Sequence, residues 1–595
     1  MNRDIEEHKG FQKRIFILGL GKAILSSLII GKLYYLQILN KSKFGKLSED
    51  NRTKIKILYP ERGIIFDQNN MRIAENRIDY QISLLKEKKS LIKKEIIKLQ
   101  KILDVTEDDF FQLSKNMKRN TLDDFITIKK NLTWEELETF EYFSHQFPFM
   151  SITKEKVRSY DNNYAFSHVI GYVGYNSKIK NKKKSPDLKI GKTGIEKIYN
   201  TDLLGKEGWQ KIESNSSGTI IRKLDTLKSK PGKNLKTYLN CNIQEYNYNL
   251  MKKTNGSMVL IDCKTGGVIS MLSSPSFDIN EFSYGIKSDS WRAYQNDPNK
   301  PLLNKSISGL YAPGSTFKLI VALYVLQNSF NLNQKYFCSG HTDLGNHKFH
   351  CWKRKGHGYV DLRQAIKESC DCFFYNLAKD INIDELAILA NKFSIGNKTM
   401  IDLPNESSGL MPTVKWKKKN KNDSWHLGET YNAVIGQGFT LSTPLQLAIM
   451  TARIACGKNI YPKIKYDTNT QLNFSDLEID KNSLDFVKDS MFGVVNEYKG
   501  TAFSSRLKSK RYKMAGKTGT SQVRRISLAE RESGVIENKE LPYKLRDHSI
   551  FSGFAPFKDP KLAISIILEH EGSGSKVAAP MARDILDNAL KILNT

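Results

Sequence analysis

Ser315 and Lys318 stand three residues apart at the start of an apolar run, a spacing that suits nucleophilic catalysis. Residues three apart share one face of a helix. A serine hydroxyl is a weak nucleophile and needs a neighbouring base. Because burial disfavours an ammonium group, Lys318 could take up the serine proton. Ser-x-x-Lys is also common by chance, and the alternative is an N-cap serine beside a lysine that reaches solvent.

Two further groups of polar residues follow along the chain. Ser369-Cys370-Asp371 opens an apolar, helix-like run, and Lys517-Thr518-Gly519-Thr520 ends a strand-like run. The tripeptide Lys-Thr-Gly also occurs at Lys192 and at Lys264. We interpret the copy at Lys264 as a hairpin turn, and the copy at Lys192 lies in the region before the serine motifs. Lys517 is therefore the candidate catalytic lysine.

The segments around these residues predict a single sheet. Two β-rich runs lie within Gly256–Ser273. Three more follow near the end of the chain, at Tyr512–Val523, His548–Phe554 and Lys561–Glu569. A mostly helical stretch, 315–454, separates the two sets of strands. This arrangement predicts an α+β fold in which an antiparallel sheet is covered by helices on both faces.

The region before residue 236 is predicted to be a separate, non-catalytic module. Lys54–Leu58 and Tyr80–Leu84 have the pattern of short strands, and Leu91–Leu103 has that of an amphipathic helix. Lys230-Pro231-Gly232 marks a boundary. A chain of 595 residues also exceeds what one core normally supports. The predicted parts are a tail (1–14), a membrane span (15–39), an elongated α+β pedestal (40–235) and a catalytic domain (236–595).

Ile15–Leu39 is long and apolar enough to span a bilayer, which needs about 20 residues. Lys22 and Lys32 interrupt it, but Lys32 can extend to an interface. Tyr34-Tyr35 suits a headgroup region and provides no small-residue cleavage site, so we predict an uncleaved signal anchor. The alternative is a buried helix of a soluble protein. Basic residues flank both ends, so orientation is inferred from the chemistry, which places the bulk of the chain outside.

The net charge of +30 arises from 93 basic and 63 acidic residues. The lysines are scattered along the chain and do not form a basic arm or helix face. We interpret the excess as lysine-rich composition, with attraction to anionic lipid as the alternative. No nucleic-acid partner is predicted. A hydrophobic content of 39% excludes a wholly disordered chain.

The motifs at Ser315, Ser369 and Lys517 together resemble the Ser-x-x-Lys, Ser-x-Asn and Lys-Thr-Gly motifs of the penicillin-recognising serine enzymes. The resemblance implies that Ser315 attacks the D-Ala–D-Ala carbonyl of a stem peptide. It also implies that Lys318 takes the serine proton and that Ser369 relays a proton to the leaving D-Ala. The acyl group would then pass to an amine of a neighbouring strand.

The resemblance implies roles for the third motif as well. Lys517 would keep the neighbouring amine deprotonated and attract the substrate carboxylate. Thr518 and Thr520 would hydrogen-bond that carboxylate, and Gly519 would leave room for substrate along the strand. Backbone N–H groups of Ser315 and Thr520 would form the oxyanion hole. The middle motif departs from the common pattern because Asp371 replaces asparagine, which leaves the role of Asp371 open.

The resemblance extends over nearly the whole chain and is closest to the elongation-type class B penicillin-binding proteins, the penicillin-binding protein 2 group. Asp371 fits this type better than the division type. The resemblance implies a β-lactam-sensitive peptidoglycan D,D-transpeptidase of the inner membrane with a periplasmic catalytic domain, acting in elongation and shape maintenance. It also implies a RodA-like glycosyltransferase and an MreC-like scaffold as partners. The matching segments are Arg62–Asp67, His168–Gly174, Gly194–Lys197, Leu204–Gly208, Gly436–Gly438 and Thr443–Leu447.

Cys338, Cys351, His357 and Cys370 resemble the zinc site of the elongation-type enzymes, with cysteine in place of aspartate at 338 and 351. Three thiolates and one imidazole suit tetrahedral zinc. The alternatives are a Cys338–Cys351 disulfide and free buried thiols, since seven cysteines cannot all pair within one chain. Possible substitute ligands are His341, His347 and His350.

Three other functions remain as alternatives. A division-specific transpeptidase shares the fold and the chemistry, but the cysteine cluster and Asp371 argue against it. A carboxypeptidase or β-lactamase would not need a large pedestal and an anchor. A β-lactam receptor or scaffold without turnover would not need Lys318 and Lys517 together.

Overall fold

The computed structural model describes residues 2–85, 92–106, 109–110, 113, 125–175, 188–214, 220–467, 473–509, 511–524, 526, 530 and 535–593. The chain divides into two compact units. The first unit comprises Met1–Pro60, Tyr80–Thr153 and Lys206–Lys230. The second comprises Glu61–Asp79, Lys154–Gly205 and Pro231–Thr595. The predicted pedestal, 40–235, contributes segments to both units, and its boundary at residue 235 stays a prediction.

The first unit begins with a long helix, Asn2–Tyr34, which continues as a π-helix over Tyr35–Leu39. No side chain described between His8 and Leu39 is buried. Within the described part of the chain, this is the one helix long and apolar enough to cross a membrane. The Lys32 ammonium lies 5.2 Å from the ring centre of Tyr35, an arrangement that suits an interface. The helix therefore supports the predicted single membrane anchor.

The remainder of the first unit combines strands and helices around its own apolar core. Thr53–Leu58, Gly208–Ser214 and Ile220–Leu227 form a three-stranded antiparallel sheet. The predicted strand at Lys54–Leu58 is thus confirmed. The predicted helix at Leu91–Leu103 is confirmed over Ile92–Leu99, while Leu91 lies outside the described residues. The core includes Ile82, Leu84, Ile96, Leu99, Ile126, Ile128, Phe140 and Phe147.

Among the described residues, the other elements of the first unit are two further helices, a 3-10 turn and one strand: Lys41–Arg52, Trp134–Tyr142, Ser144–Gln146 and Phe125–Lys129. Two strands have residues in both units, Arg72–Leu85 and Met150–Tyr160. The first of these contains the strand predicted at Tyr80–Leu84.

The second unit is built around a five-stranded antiparallel sheet. In spatial order its strands are Val268–Ser274, Gly256–Asp262, Leu562–Leu568, His548–Ala555 and Ala515–Ser521. Apart from a few terminal positions and Thr520, every residue of these strands is buried. A strand buried on both faces must be covered on both sides. This confirms the predicted sheet.

Helices provide that cover. Pro444–Cys456 packs on the central strands Gly256–Asp262 and Leu562–Leu568, and Ala578–Leu593 packs on Leu562–Leu568 and His548–Ala555. Lys481–Asn496 packs against the edge strand Ala515–Ser521. The α+β fold predicted from the order of strands and helices is therefore confirmed.

The remaining helices of this unit are Ser167–Ile170, Gly194–Ile198, Asn200–Leu204, Cys241–Met251, Ile279–Tyr284, Ser288–Asn296, Lys305–Ser308, Lys318–Gln327, Leu362–Lys367, Asp371–Leu377, Ile383–Lys392, Val414–Lys421 and Leu427–Val434. Its 3-10 turns are Gly314–Thr316, Ala378–Asp380, Phe503–Ser505 and Tyr543–Leu545. Its short strands are Ile65–Phe66, Val173–Tyr175, Lys189–Gly191, Leu235–Lys236, Tyr336–Cys338, His341–Leu344, His347–His350 and Gly358–Val360.

A buried ion network holds early segments of the second unit together. The fully buried Glu196 carboxylate accepts hydrogen bonds from Arg62 Nε at 2.6 Å and from Arg158 Nε at 2.7 Å. Burial opposes ionisation of Glu196, but the charges of Arg158 and Arg62 outweigh it and lower the pKa of this carboxyl. Two cations therefore share one buried anion.

Glu196→Gln is expected to destabilise the protein by about 3–5 kcal/mol, because it leaves two buried guanidinium groups without their counter-ion. Glu61→Gln is the matched control, since the Glu61–Lys156 pair is more than half exposed and should contribute no more than about 1 kcal/mol. Denaturant unfolding of the full chain in detergent measures both changes. Equal effects of the two substitutions would contradict this account of the network.

Candidate active site

A tight backbone crossing fixes the loop that carries Ser315. Gly314 has φ +55 and donates its N–H to Gly436 O at 2.9 Å. A Cβ on Gly314 would lie 2.6 Å from Thr520 O, and a Cβ on Gly436 would lie 2.1 Å from Gly314 O. Neither position has room for a side chain, and both have the left-handed backbone that glycine accepts. The serine loop is therefore held against the 436–438 loop and the Lys-Thr-Gly strand.

Ser315 lies in the 3-10 turn Gly314–Thr316, directly before the helix Lys318–Gln327. Ser315 is partly exposed, whereas Lys318 and the next seven residues of the helix are buried. The predicted helix start is confirmed. The structure gives Lys318 no path to solvent, so it does not support the alternative of a solvent-reaching lysine.

Lys318 joins the first motif to the second. Its Nζ lies 2.7 Å from Asp371 Oδ1, 3.0 Å from Ser369 O and 3.4 Å from Ser369 Oγ. Lys318 is fully buried. The sequence did not reveal that Asp371 would be the counter-ion of this lysine.

Lys517 brings in the third motif. Its Nζ donates to Ser369 Oγ at 2.8 Å and to Thr518 O at 3.1 Å. Burial, and then the charge of Lys318, lowers the pKa of Lys517 well below its usual range. Burial raises the pKa of Asp371, and the charge of Lys318 partly offsets this. Of the two lysines, Lys318 has the carboxylate partner, whereas Lys517 donates to a hydroxyl and a carbonyl.

The Ser369 hydroxyl thus lies between two amines. Ser369 has φ +58, in the left-handed region that a serine rarely adopts, and only 5% of its surface is exposed. Backbone conformations of this kind are costly and concentrate at functional sites. The arrangement can pass a proton between Lys318, Ser369 and Lys517.

The strand Ala515–Ser521 forms an edge of the sheet and lies beside the 3-10 turn of Ser315. Thr518 Oγ1 is 2.6 Å from Thr501 Oγ1, and the partly exposed Thr520 accepts a hydrogen bond at its carbonyl from Gln437 Nε2 at 2.9 Å. A Cβ on Gly519 would lie 3.1 Å from Pro313 O. An extended peptide could pair with such an edge.

The other two Lys-Thr-Gly copies have structural roles. Lys264 and Thr265 form the turn between two sheet strands, where Asp262 Oδ1 accepts both of their backbone N–H groups at 2.8 Å. Thr193 precedes the short helix Gly194–Ile198. The hairpin predicted at Lys264 is confirmed.

The structure brings Cys338, Cys351, His357 and Cys370 together. One ligand atom from each lies within 4.8 Å of all the others, and the three cysteines are buried. His357 Nδ1 lies 3.5 Å from Cys338 Sγ and 3.6 Å from Cys351 Sγ. This donor set and spacing fit tetrahedral zinc. Among the described residues, the cluster contains none of the three substitute histidines.

A fifth thiol adjoins this cluster and was not predicted. The neighbouring Cys338 and Cys351 side chains raise the pKa of the Cys372 thiol. Its position two residues after Cys370 was the available signal, but whether it faces the cluster depends on how the helix Asp371–Leu377 begins.

The cluster also supports the middle motif. Asp371 donates its backbone N–H to Cys351 Sγ at 3.4 Å and accepts Trp352 N–H at Oδ2 at 2.9 Å. Trp352 Nε1 donates to Ser369 O at 3.1 Å. Trp352, Gln437 and Thr501 all contact motif residues, and the sequence had not marked them individually.

Comparisons with known proteins agree with this geometry. The family model "Penicillin binding protein transpeptidase domain" matches residues 256–587, and "Penicillin-binding Protein dimerisation domain" matches 57–237. The chain is similar to the peptidoglycan D,D-transpeptidase MrdA of Escherichia coli K12, with 34% identity over 98% of this chain and 94% of the relative.

Two solved structures extend the likeness. One is the complex of penicillin-binding protein PBP2 with MreC from Helicobacter pylori, with a TM-score of 0.78, 32% identity, and coverage of 91% of this chain and 99% of that one. The other is described as structural coordination of polymerization and crosslinking by a peptidoglycan synthase complex. Its TM-score is 0.70, with 25% identity and coverage of 96% and 97%.

Proposed function

Since this chain belongs to the class B penicillin-binding proteins, we propose that it is an elongation-type peptidoglycan D,D-transpeptidase that joins stem peptides through a serine acyl-enzyme. One observation carries this proposal. Ser369 Oγ lies 3.4 Å from Lys318 Nζ and 2.8 Å from Lys517 Nζ, so three motifs distant in sequence meet at one hydroxyl. Such a convergence suits acyl transfer with proton relay.

In the first half-reaction, the donor stem peptide lies along the edge strand with its carboxylate near Thr518 and Thr520. Ser315 Oγ attacks the penultimate D-Ala carbonyl, and its proton passes to Lys318. The backbone N–H groups of Ser315 and Thr520 stabilise the oxyanion. Collapse of the tetrahedral intermediate breaks the peptide bond, and the terminal D-Ala leaves with a proton delivered through Ser369.

Lys318 must give up a proton before it can accept one. In the resting arrangement its ammonium is paired with the Asp371 carboxylate at 2.7 Å. Asp371 is the nearest acceptor for that proton, and Ser369 connects Lys318 to Lys517 as a second route. This reasoning gives Asp371 a role as a proton-holding partner of the base.

In the second half-reaction an amine from a neighbouring stem peptide attacks the acyl-enzyme. Its proton returns through the same groups, and Ser315 is released with a new peptide cross-link. A β-lactam enters the first half-reaction as a substitute for the stem peptide and stays attached to Ser315. Both halves use one set of residues, as microscopic reversibility requires.

The relatives named above favour the elongation type over the division type. MreC is bound to PBP2 in one similar structure, and another describes polymerization and crosslinking in one complex. We therefore propose an MreC-like scaffold and a RodA-like glycosyltransferase as partners of this chain. Because nascent peptidoglycan lies outside the inner membrane, the catalytic unit would be periplasmic and the N-terminal tail cytoplasmic.

Reconstitution tests this function. The full chain in detergent is combined with a RodA-type polymerase and a lipid-linked disaccharide pentapeptide, and muramidase digests are analysed by mass spectrometry. We expect cross-linked dimers and free D-Ala, both abolished by excess β-lactam. Cross-linking only with a division-type polymerase would favour the division enzyme. Uptake of fluorescent penicillin without any cross-link or D-Ala would favour the β-lactam receptor.

We also propose that Cys338, Cys351, His357 and Cys370 hold one zinc ion per chain. Zinc here would act structurally, since Cys370 lies within the Ser369–Asp371 motif and Cys351 Sγ accepts the backbone N–H of Asp371. The residues of this chain would still do the chemistry. The spatial closeness of the four donors is the support for this proposal.

Metal analysis of the purified chain is expected to give one zinc per protein, and chelation should lower thermal stability and slow acylation by penicillin. The Cys338→Ser/Cys351→Ser variant is expected to lose the metal, whereas Cys241→Ser, a buried cysteine beside Asp67, should keep it. Two cluster cysteines are replaced because Cys372 could substitute for one. A metal-free protein with unchanged stability and acylation would end the zinc proposal.

A further inference from the structure

Two cysteines outside the cluster lie near the turn that joins the strands Gly256–Asp262 and Val268–Ser274. Cys263 directly follows the strand Gly256–Asp262, and Cys456 is the last residue of the helix Pro444–Cys456. Cys456 Sγ lies 3.8 Å from the carbonyl oxygen of Cys263. The neighbouring Cys456 thiol raises the pKa of Cys263, and the Cys263 thiol lowers the pKa of Cys456, as expected of two side chains that lie side by side. Neither residue has a part in the chemistry described above.

The backbone already holds both cysteines in place. Cys263 donates its N–H to Lys561 O at 2.8 Å. Val268, which follows the turn, donates its N–H to Lys463 O at 2.8 Å. After Cys456 the helix ends in a left-handed Gly457, whose N–H bonds Arg453 O at 2.8 Å. Because Cys456 Sγ already lies against the backbone of Cys263, the two side chains need little movement to join.

We propose that Cys263 and Cys456 form a disulfide bond in the mature protein. The inference rests on the proposed function in one respect, because the catalytic unit must lie outside the cytoplasmic membrane, where thiols are oxidised. The bond would join the first hairpin of the catalytic sheet to the helix that packs on it.

The chemistry is a thiol–disulfide exchange with a disulfide-carrying oxidoreductase. One thiolate attacks the oxidant disulfide and forms a mixed disulfide, and the second cysteine then displaces the oxidant. The two cysteines lose two electrons and two protons, and the oxidant leaves as a dithiol. Cys456 is the half-buried partner, and the neighbouring Cys263 thiol lowers its pKa. It is therefore the group suited to attack first.

The other cysteines have different surroundings. Cys338, Cys351 and Cys370 converge on His357, and thiolates bound to zinc would be unavailable for exchange. Cys241 donates its backbone N–H to Asp67 Oδ2 at 3.1 Å. An odd total of seven is compatible with one disulfide, one metal site and two remaining thiols.

The bond would close a loop of 193 residues. Ser315 and Ser369 lie inside that loop, while Lys517 lies outside it. A cross-link of this length restricts the unfolded chain strongly. The disulfide would thus stabilise the catalytic unit without touching its reactive groups.

The test uses full-length protein exported by its own anchor and purified in detergent without reductant. It is denatured with a chelator present, alkylated, digested and mapped by mass spectrometry before and after reduction. We expect one linked peptide pair containing Cys263 and Cys456, and alkylation of the other five cysteines. Reduction, or Cys263→Ser/Cys456→Ser, should lower the melting temperature by several degrees, whereas Cys241→Ser should not.

Labelling with fluorescent penicillin on the same sample separates this inference from the proposed function. Alkylation of both Cys263 and Cys456 in protein that accepts penicillin would overturn the disulfide and leave the function intact. A linked pair in protein that is not acylated by penicillin would support the disulfide and count against the proposed function. A Cys338–Cys351 link in place of the expected pair would overturn the disulfide proposed here.

Discussion

Ser315→Ala should abolish the covalent adduct with fluorescent penicillin, with acylation falling by at least about 10,000-fold. Two neighbouring hydroxyls are already held in hydrogen bonds. Ser369 Oγ is engaged by both lysines, and Thr316 Oγ1 is bonded to Pro313 O at 2.7 Å. Gel fluorescence and intact mass measure the adduct, and thermal melting checks the fold.

Ser308→Ala is the matched control for this prediction. Its hydroxyl donates to Asn405 O at 2.8 Å and contacts no motif residue, so acylation should stay within about twofold of the wild type. An adduct of normal mass on the Ser315→Ala protein would mean that another residue is the nucleophile. Loss of the adduct in both variants would point to misfolding.

Lys318→Met is expected to slow acylation by about 100–10,000-fold, the usual contribution of a general base. Methionine fills much of the same space in an apolar helix but cannot take the Ser315 proton. The rate constant of penicillin acylation measures this effect. Lys417→Met is the control, because Lys417 is also buried but pairs with Glu429 and Asp423 away from the motifs.

The substitution also leaves the Asp371 carboxylate without its cation, so a folding defect must be separated from a chemical one. Asp371→Asn alone should slow acylation by no more than about tenfold, because the amide keeps a hydrogen bond to Lys318 but cannot hold its proton, which must then leave through Ser369 and Lys517. In the Lys318→Met/Asp371→Asn double variant, stability should recover while acylation stays low. Recovery of acylation in the double variant would show that Lys318 only supports the fold.

The order of strands and helices could be predicted from the sequence because each element has its own periodicity. A β-rich run marked Lys561–Glu569, and an apolar run that follows Ser315 and Lys318 marked the start of a helix. The interleaving of the two units could not be predicted, since it depends on contacts such as Arg62 with Glu196, 134 residues apart.

The identities of the motif residues were predictable, but their pairings were not. Asp371 was identified only as a departure from asparagine, and its ion pair with Lys318 depends on Ser369 adopting φ +58. The four clustered residues Cys338, Cys351, His357 and Cys370 were identified from the sequence. Cys372 was missed because its direction depends on the first turn of its helix. Local sequence predicts elements, and the directions of buried side chains come from tertiary packing.

The crossing of Gly314 with Gly436 limits how this protein could evolve drug resistance. A substitution that crowds out a β-lactam is most effective beside Ser315, yet a Cβ at either glycine would collide with backbone atoms 2.1–2.6 Å away. Such a mutant would lose its transpeptidase activity together with its sensitivity to β-lactams. Resistance mutations are therefore expected at neighbouring positions that already carry a side chain, such as Gln437 and Thr501. At these positions the size and polarity of the side chain can change in small steps.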